Sequence, residues 1–227
     1  PPGPENLDGQ MGSQSMKTND LIALLASDTL QPQKPVRQQL LRQLLLGAVV
    51  CGVLLLAVFG LNPQMDQMAV HPAFITKMLW LTALMGFSLY GLFRLARPGV
   101  GAGHTLVGLG LALLAMGSLG VMQWLQTDAG ARTAQWMGGS WEVCSVSIVA
   151  LSLPVLGALL WALRQLAPTR PALTGAVAGL LAGSLAASIY SLHCTETSLT
   201  FFAIWYAGGI ALVSGVGAVL GWRVLRW

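Results

Sequence analysis

The chain has 227 residues, of which 55% are hydrophobic and 9% are charged, and its formal net charge is +4. Soluble domains carry roughly 25% charged residues. This composition therefore excludes a disordered chain, a basic nucleic-acid-binding domain and an ordinary soluble enzyme. It predicts an all-α protein that crosses a membrane several times.

Two segments precede the membrane domain, which we expect over residues 37–227. Residues 1–15 are polar and rich in Gly and Pro, without the basic and apolar regions of a signal peptide. We expect them to be a remnant of recombinant expression, with the native chain starting at Met16. Residues 16–36 are expected to form a cytoplasmic tail with a short amphipathic helix and a Pro-containing spacer.

The helix in this tail carries an apolar stripe followed by an acidic residue, namely Leu21, Ile22, Leu24, Leu25 and Asp28. Polar residues at 18–20 supply an N-cap. A helix this short is marginal in water on its own, so the stripe predicts docking into a groove of a partner protein. Binding to the membrane surface is the alternative, which the acidic residues and the absence of a row of lysines disfavour.

Six apolar runs follow, at residues 44–61, 74–95, 105–125, 144–163, 172–192 and 201–222. Each is close to the ~20 residues that an α-helix needs to cross a bilayer core. Because lipid cannot satisfy the backbone of an open sheet edge, and alternating ten-residue strands are absent from the sequence, these runs predict six transmembrane helices.

The distribution of Lys and Arg predicts the orientation of the helices. One set of loops and termini holds Lys17, Lys34, Arg37, Arg42, Arg94, Arg97, Arg164, Arg170, Arg223 and Arg226. The opposite loops hold only Lys77 and Arg132. By the positive-inside rule, both termini face the cytoplasm. The expected location is a bacterial inner membrane.

Small residues recur every four positions in the last two spans, at Gly175, Gly179 and Gly183 and again at Gly217 and Gly221. Such a stripe allows two helices to approach closely. We interpret it as packing within one chain, with a homodimer face as the alternative. No Asp, Glu, Lys or Arg lies in the middle of a predicted span, which argues against an ion pump or a proton-coupled transporter. A passive channel or transporter subunit remains an alternative.

Two cysteines are predicted to lie at the same outer interface. Cys144 opens the fourth span and Cys194 lies between the fifth and the sixth. They can form a disulfide in an oxidising compartment, or hold a soft metal ion, with His193, Glu142 and Glu196 as candidate partners. The alternative is that both thiols only fill space, as free cysteines often do and as we expect for Cys51.

Four sequence stretches together resemble one known family. They are MKTNDLIALLASD from Met16, RQLAPTRPALTG from Arg164, LHCTE from Leu192 and FFAIWY from Phe201. With six spans and two outer cysteines, they resemble the bacterial negative regulators of sigma F. The resemblance implies a non-catalytic anti-sigma factor of the inner membrane. Such a protein sequesters an extracytoplasmic-function sigma factor and releases it under heavy-metal or oxidant stress.

The resemblance also assigns roles to individual residues. The stripe of the tail, with Asp28, would contact the sigma factor, and Cys144 and Cys194 would match the paired sensing cysteines of the family. No direct nucleic-acid contact and no cofactor are implied, apart from a transient heavy-metal ion. An enzymatic alternative is a membrane thiol oxidoreductase that passes electrons from Cys144 and Cys194 to a quinone. Such enzymes usually need a second dithiol, and only Cys51 is left over.

Overall fold

The structure, a computed structural model, describes residues 35–96, 103–166 and 168–226, and every regular element in them is a helix. We number these helices α1 (Val36–Val58), α2 (Met65–Ala69), α3 (Pro72–Leu95), α4 (Gly103–Gln126), α5 (Arg132–Met137), α6 (Trp141–Arg164), α7 (Pro171–Tyr190) and α8 (Leu199–Val224). All but the short α2 and α5 are long and apolar enough to cross a membrane. The predicted all-α fold with six spans is confirmed.

The ends of the helices follow from local sequence. Pro72 occupies the first turn of α3, and the His71 side chain accepts a hydrogen bond from the amide of Ala73 at 3.2 Å. Helix α1 ends just before Gly60, whose φ of +73° favours glycine. Its start at Val36 is earlier than the apolar run suggests, because helical backbone continues beyond the apolar part of a span.

The long helices alternate in direction, so the connections gather at two ends of the bundle. Loops 59–71, 127–140 and 191–198 form what we call the cysteine end. Backbone bonds join these loops, such as the one from the Asn62 amide to the Leu192 carbonyl at 3.1 Å. At the opposite end, which we call the tail end, the Gln39 side chain donates to Gln165 at 2.7 Å.

Helices α7 and α8 pack through their glycines, and we call this contact the glycine seam (Gly175, Gly179, Gly183, Gly217 and Gly221). A Cβ added at Gly175 would overlap the carbonyl oxygen of Gly217, and one added at Gly221 would lie 2.6 Å from the carbonyl oxygen of Pro171. The backbones therefore touch directly. The interpretation of the glycines as packing within one chain is confirmed.

The assignment of Lys77 to an outer loop is wrong. Lys77 lies in the second turn of α3 and has none of its surface exposed. The reason is that α3 begins at Pro72, so that Lys77 falls on the inward face of the helix together with Phe74, Trp80 and Leu81. Its side chain enters the interior of the bundle at the cysteine end.

Candidate functional site

The two cysteines meet at the cysteine end of the bundle. Cys144 lies in the first turn of α6, on the same inward face as Ile148 and Leu151. Cys194 lies in the loop after α7, where its amide bonds to the Tyr190 carbonyl at 3.1 Å. Both are free thiols, with 0% and 3% of their surfaces exposed. The two thiols lie side by side, close enough for each to change the pKa of the other.

The sulfur of Cys194 lies in surroundings that favour negative charge. Besides the Cys144 thiol, it receives hydrogen bonds from the Tyr206 hydroxyl and the Glu196 backbone amide. The hydrogen bond from Cys144 is the largest cause that lowers the pKa of Cys194, and the charge of Lys77 acts in the same direction. Together these contacts outweigh burial, which acts to raise that pKa, so Cys194 is the more readily ionised thiol.

Lys77 lies in a cage of aromatic rings beside the thiols. Its Nζ is 4.3 Å from the ring centroid of Phe202 and 5.2 Å from those of Phe74 and Tyr206. Among the described residues, no hydrogen-bond acceptor reaches this atom. The direct contacts of the Lys77 ammonium group are therefore cation–π contacts, without a hydrogen-bonded ion pair.

A π-helical turn in α8 presents two rings of this cage. Phe202 and Tyr206 begin and end the turn, and both are fully buried. Ser145, next to Cys144 on α6, donates its hydroxyl to the Trp205 carbonyl at 2.8 Å. Turns of this kind interrupt α-helices frequently at functional sites. This one is held by the helix that carries Cys144.

The N-terminus of helix α8 is capped by a side chain from another helix. The side-chain oxygen Oε1 of Gln123, on α4, accepts hydrogen bonds from the backbone amides of Leu199 at 2.8 Å and Thr200 at 3.2 Å. These amides would otherwise be orphan donors of the first turn. The sequence gap of 76 residues between Gln123 and Leu199 hides this cap from sequence patterns.

A cavity of about 400 Å³ adjoins Cys194 at the cysteine end. Its lining residues are Phe59, Leu61, Asn62, Pro63, Ser140, Tyr190, His193, Cys194 and Thr195. The Ser140 hydroxyl is buried and has no hydrogen-bond partner among the described residues. The cavity is large enough for a small reagent and brings it next to one thiol of the pair.

The predicted partners of the cysteines have different surroundings. The His193 ring packs against Phe59, with 5.3 Å between the two ring centroids, and its Nδ1 lies 3.3 Å from the Gly60 carbonyl oxygen. Glu196 accepts a hydrogen bond from the Gly139 amide at 2.6 Å, which ties two loops together, and Glu142 is exposed. Within the described ranges, no three His, Cys, Asp or Glu side chains gather as a metal site. A metal ion held by the two sulfurs alone stays a prediction.

Other predicted site residues lie elsewhere. Cys51 is fully buried in α1, as expected for a packing residue. The predicted partner-binding residues Leu21, Ile22, Leu24, Leu25 and Asp28 lie outside the part of the chain that the structure describes. Their role stays a prediction.

Sequence reasoning missed Lys77 and Tyr206. A signal for Lys77 was available, since an ionisable residue within a 22-residue apolar run is a functional candidate by its cost alone. No such signal marks Tyr206, because its contact with Cys194 depends on how two loops and a π-helical turn meet.

Comparison with known proteins finds one family and two close relatives. Residues 25–227 match the family described as negative regulator of sigma F. The chain is similar to the probable anti-sigma-F factor NrsF of Azospira oryzae, with 35% identity over 213 residues, covering 93% of this chain and all of the relative. It is also similar to the anti-sigma-F factor NrsF of Caulobacter vibrioides, with 37% identity over 218 residues and the same coverage. No solved structure matches the chain.

Proposed function

Since this chain belongs to the negative regulator of sigma F family, we propose that it is a membrane anti-sigma factor. The tail at residues 16–36 holds an extracytoplasmic-function sigma factor on the cytoplasmic side of a bacterial inner membrane. The observation that carries this proposal is the match through all six spans to relatives named as anti-sigma-F factors. The excess of Lys and Arg at the tail end supports the orientation.

The binding half of the proposal is tested in the full-length chain. Leu24→Asp combined with Leu25→Asp places two charges in the apolar stripe of the tail. We expect at least a tenfold loss of the sigma factor that copurifies with the detergent-solubilised protein from its host. Gln31→Ala with Gln33→Ala, in the polar spacer of the same tail, is the matched control and should keep the partner. Equal recovery with the two double variants would contradict a role for the stripe.

We further propose that Cys144 and Cys194 are the sensor that releases the sigma factor. An oxidant takes two electrons from the two thiols, which lose two protons and form one disulfide bond. A soft metal ion would instead displace both protons and bind the two sulfurs. Two observations support this proposal. The two thiols lie side by side, and a cavity adjoins Cys194.

The sensing half is tested on the complex in lipid nanodiscs. Diamide supplies the oxidant and Cd²⁺ supplies a soft metal, and the released sigma factor is quantified in each case. We expect Cys144→Ser and Cys194→Ser, alone or combined, to abolish the release that diamide or Cd²⁺ causes in the wild type. Cys51→Ser should respond like the wild type. Intact mass distinguishes loss of two hydrogens from gain of a metal. Normal release from the variant that carries both serine substitutions would contradict a sensing role for the two cysteines.

Helix α6 offers a route between the sensor and the tail. Its first turn carries Cys144, and its C-cap Gln165 bonds to α1. In between, a Cβ added at Gly47 of α1 would lie 3.0 Å from the Cα of Val155 on α6. We propose that a displacement of α6 shifts α1, the helix that follows the tail in the sequence. A stimulus drives release only if it binds or forms more favourably in the released state.

Two glycine variants of α1 test this route. Gly47→Val forces α1 away from α6, so we expect stress to change sigma-factor release much less than in the wild type. Gly52→Val is the matched control on the same helix, because a Cβ there meets nothing within 4 Å. An unchanged response in Gly47→Val would show that the contact between these helices does not carry the signal.

A further inference from the structure

Lys77 is an ionisable side chain within an apolar bundle and is fully buried. Removing an ammonium group from water is expensive unless other groups compensate for the lost hydration. Ionisable residues at such positions usually face a partner inside the protein and mark a functional site. The question is which group Lys77 serves.

The geometry restricts the answer to a few groups. Three rings surround Nζ, with the Phe202 centroid nearest at 4.3 Å, and rings cannot take its proton or neutralise its charge. Apart from the Tyr206 hydroxyl, whose hydrogen bond is directed to Cys194, the groups near it that can carry negative charge are Cys194, Cys144 and Glu196. Glu196 already accepts a hydrogen bond from the Gly139 amide. This leaves the two thiols. In the described ranges, Lys77 is the cation that acts on both of them.

We propose that Lys77 is the positioning residue of the cysteine pair, whose ammonium group stabilises the negative charge that develops on the Cys194 sulfur when this thiol reacts. This inference deepens the proposed sensing role. The chemical step itself needs no sigma factor, so that it can be measured on the isolated full-length protein.

The same contacts indicate which thiol reacts first. The Cys194 sulfur receives hydrogen bonds from Cys144, Tyr206 and the Glu196 amide, and the cavity adjoins it. Cys144 is completely buried and does not line the cavity. Cys194 is therefore the attacking thiol, and Cys144 is placed to resolve the product by forming the disulfide.

Methyl methanethiosulfonate is a small, neutral probe for this step. The Cys194 sulfur forms a bond to the methylthio sulfur, the S–SO₂ bond breaks, and methanesulfinate leaves with the electron pair while the thiol proton passes to the buffer. The rate is followed by quenched mass spectrometry in the Cys51→Ser background, as the sum of methylthio-Cys194 and of the Cys144–Cys194 disulfide that forms from it when methanethiol leaves. Peptide analysis separates Cys194 from Cys144.

Three variants in detergent micelles decide the proposal. Lys77→Met keeps an unbranched side chain that is one atom shorter and removes the charge, and we expect at least a tenfold slower reaction at Cys194. Lys77→Arg restores a cation within the aromatic cage and should return the rate to within threefold of the wild type. A Lys77→Met rate equal to the wild type, or a Lys77→Arg rate as slow as Lys77→Met, would overturn the proposal.

Glu196→Gln provides a test that does not alter the buried cage. The amide side chain can still accept the hydrogen bond from Gly139, and the backbone amide that faces Cys194 is unchanged. Removing the competing carboxylate charge should speed the reaction about two- to threefold, and a slower reaction would count against the proposal. If reactivity follows these expectations but the sigma factor never copurifies, the anti-sigma proposal fails while the role of Lys77 stands.

Discussion

The glycine seam and the cysteine end are built on opposite principles. In the seam, two helix backbones touch without intervening side chains, as between Gly175 and Gly217. At the cysteine end, polar side chains from α3, α6 and α8 and from the loop after α7 meet within an aromatic shell. One region depends on the absence of side chains and the other on their exact partners.

This difference suggests which region can change state. A direct backbone contact in lipid depends on close packing and leaves no alternative arrangement at similar energy. A cluster of thiols, a lysine and hydroxyls gains or loses charge when a thiol reacts, so its arrangement depends on chemistry. We therefore expect α7 and α8 to move as one unit and α6 to move relative to them.

The largest effect is expected from breaking the seam. Gly217→Val places a side chain 3.1 Å or less from the α7 backbone, since a Cβ there lies 3.1 Å from the Cα of Gly179 and closer to the Gly175 carbonyl. We expect a loss of about 3 kcal/mol in the free energy of unfolding, at the upper end for overpacking. Denaturation in mixed micelles, followed by circular dichroism, measures it.

Gly215→Val is the matched control for this variant. It makes the same chemical change two residues away on α8, where a Cβ meets nothing within 4 Å. The helix propensities of the two variants are alike, so the difference between them isolates the seam contact. Equal stabilities would mean that the helices separate easily and that the seam is no rigid unit.

Sequence patterns were sufficient for the seam and the spans because both are local and periodic. Glycines at every fourth position mark one helix face, and hydropathy marks the six runs. The meeting of Cys144 and Cys194 also followed from the sequence, because alternating spans return both to one end of the bundle.

The rest of the cysteine end depends on contacts that no local pattern contains. Lys77 was misplaced because charge counting along the chain treats a lysine near the start of a span as part of a loop, while its long apolar stem lets it enter the interior. Tyr206, whose hydroxyl contacts Cys194, ends a π-helical turn, and sequence propensities do not predict such a turn.

The second effect concerns the start of α8. Gln123→Leu removes the oxygen that accepts from Leu199 and Thr200, and it leaves two amides to find other partners. We expect a loss of about 2 kcal/mol, with faster hydrogen–deuterium exchange at these two amides. Gln123→Glu keeps an acceptor at a helix N-terminus, where negative charge is favourable, and should exchange like the wild type. Fast exchange in both variants would show that the cap does not depend on this oxygen.

The smallest effect comes from a single hydroxyl at the cysteine end. Tyr206→Phe removes one donor to the Cys194 sulfur and leaves the ring over Lys77 in place. A hydrogen bond to a developing charge is worth about 1.5 kcal/mol, so reaction of Cys194 with methyl methanethiosulfonate should slow roughly tenfold. Tyr90→Phe, at an exposed ring of α3, is the control and should leave the rate unchanged. If Tyr206→Phe reacts as fast as the wild type, the hydroxyl does not stabilise charge on the sulfur. The stabilisation of charge at the cysteine end, which distinguishes it from the glycine seam, would then depend on Lys77 and Cys144 alone.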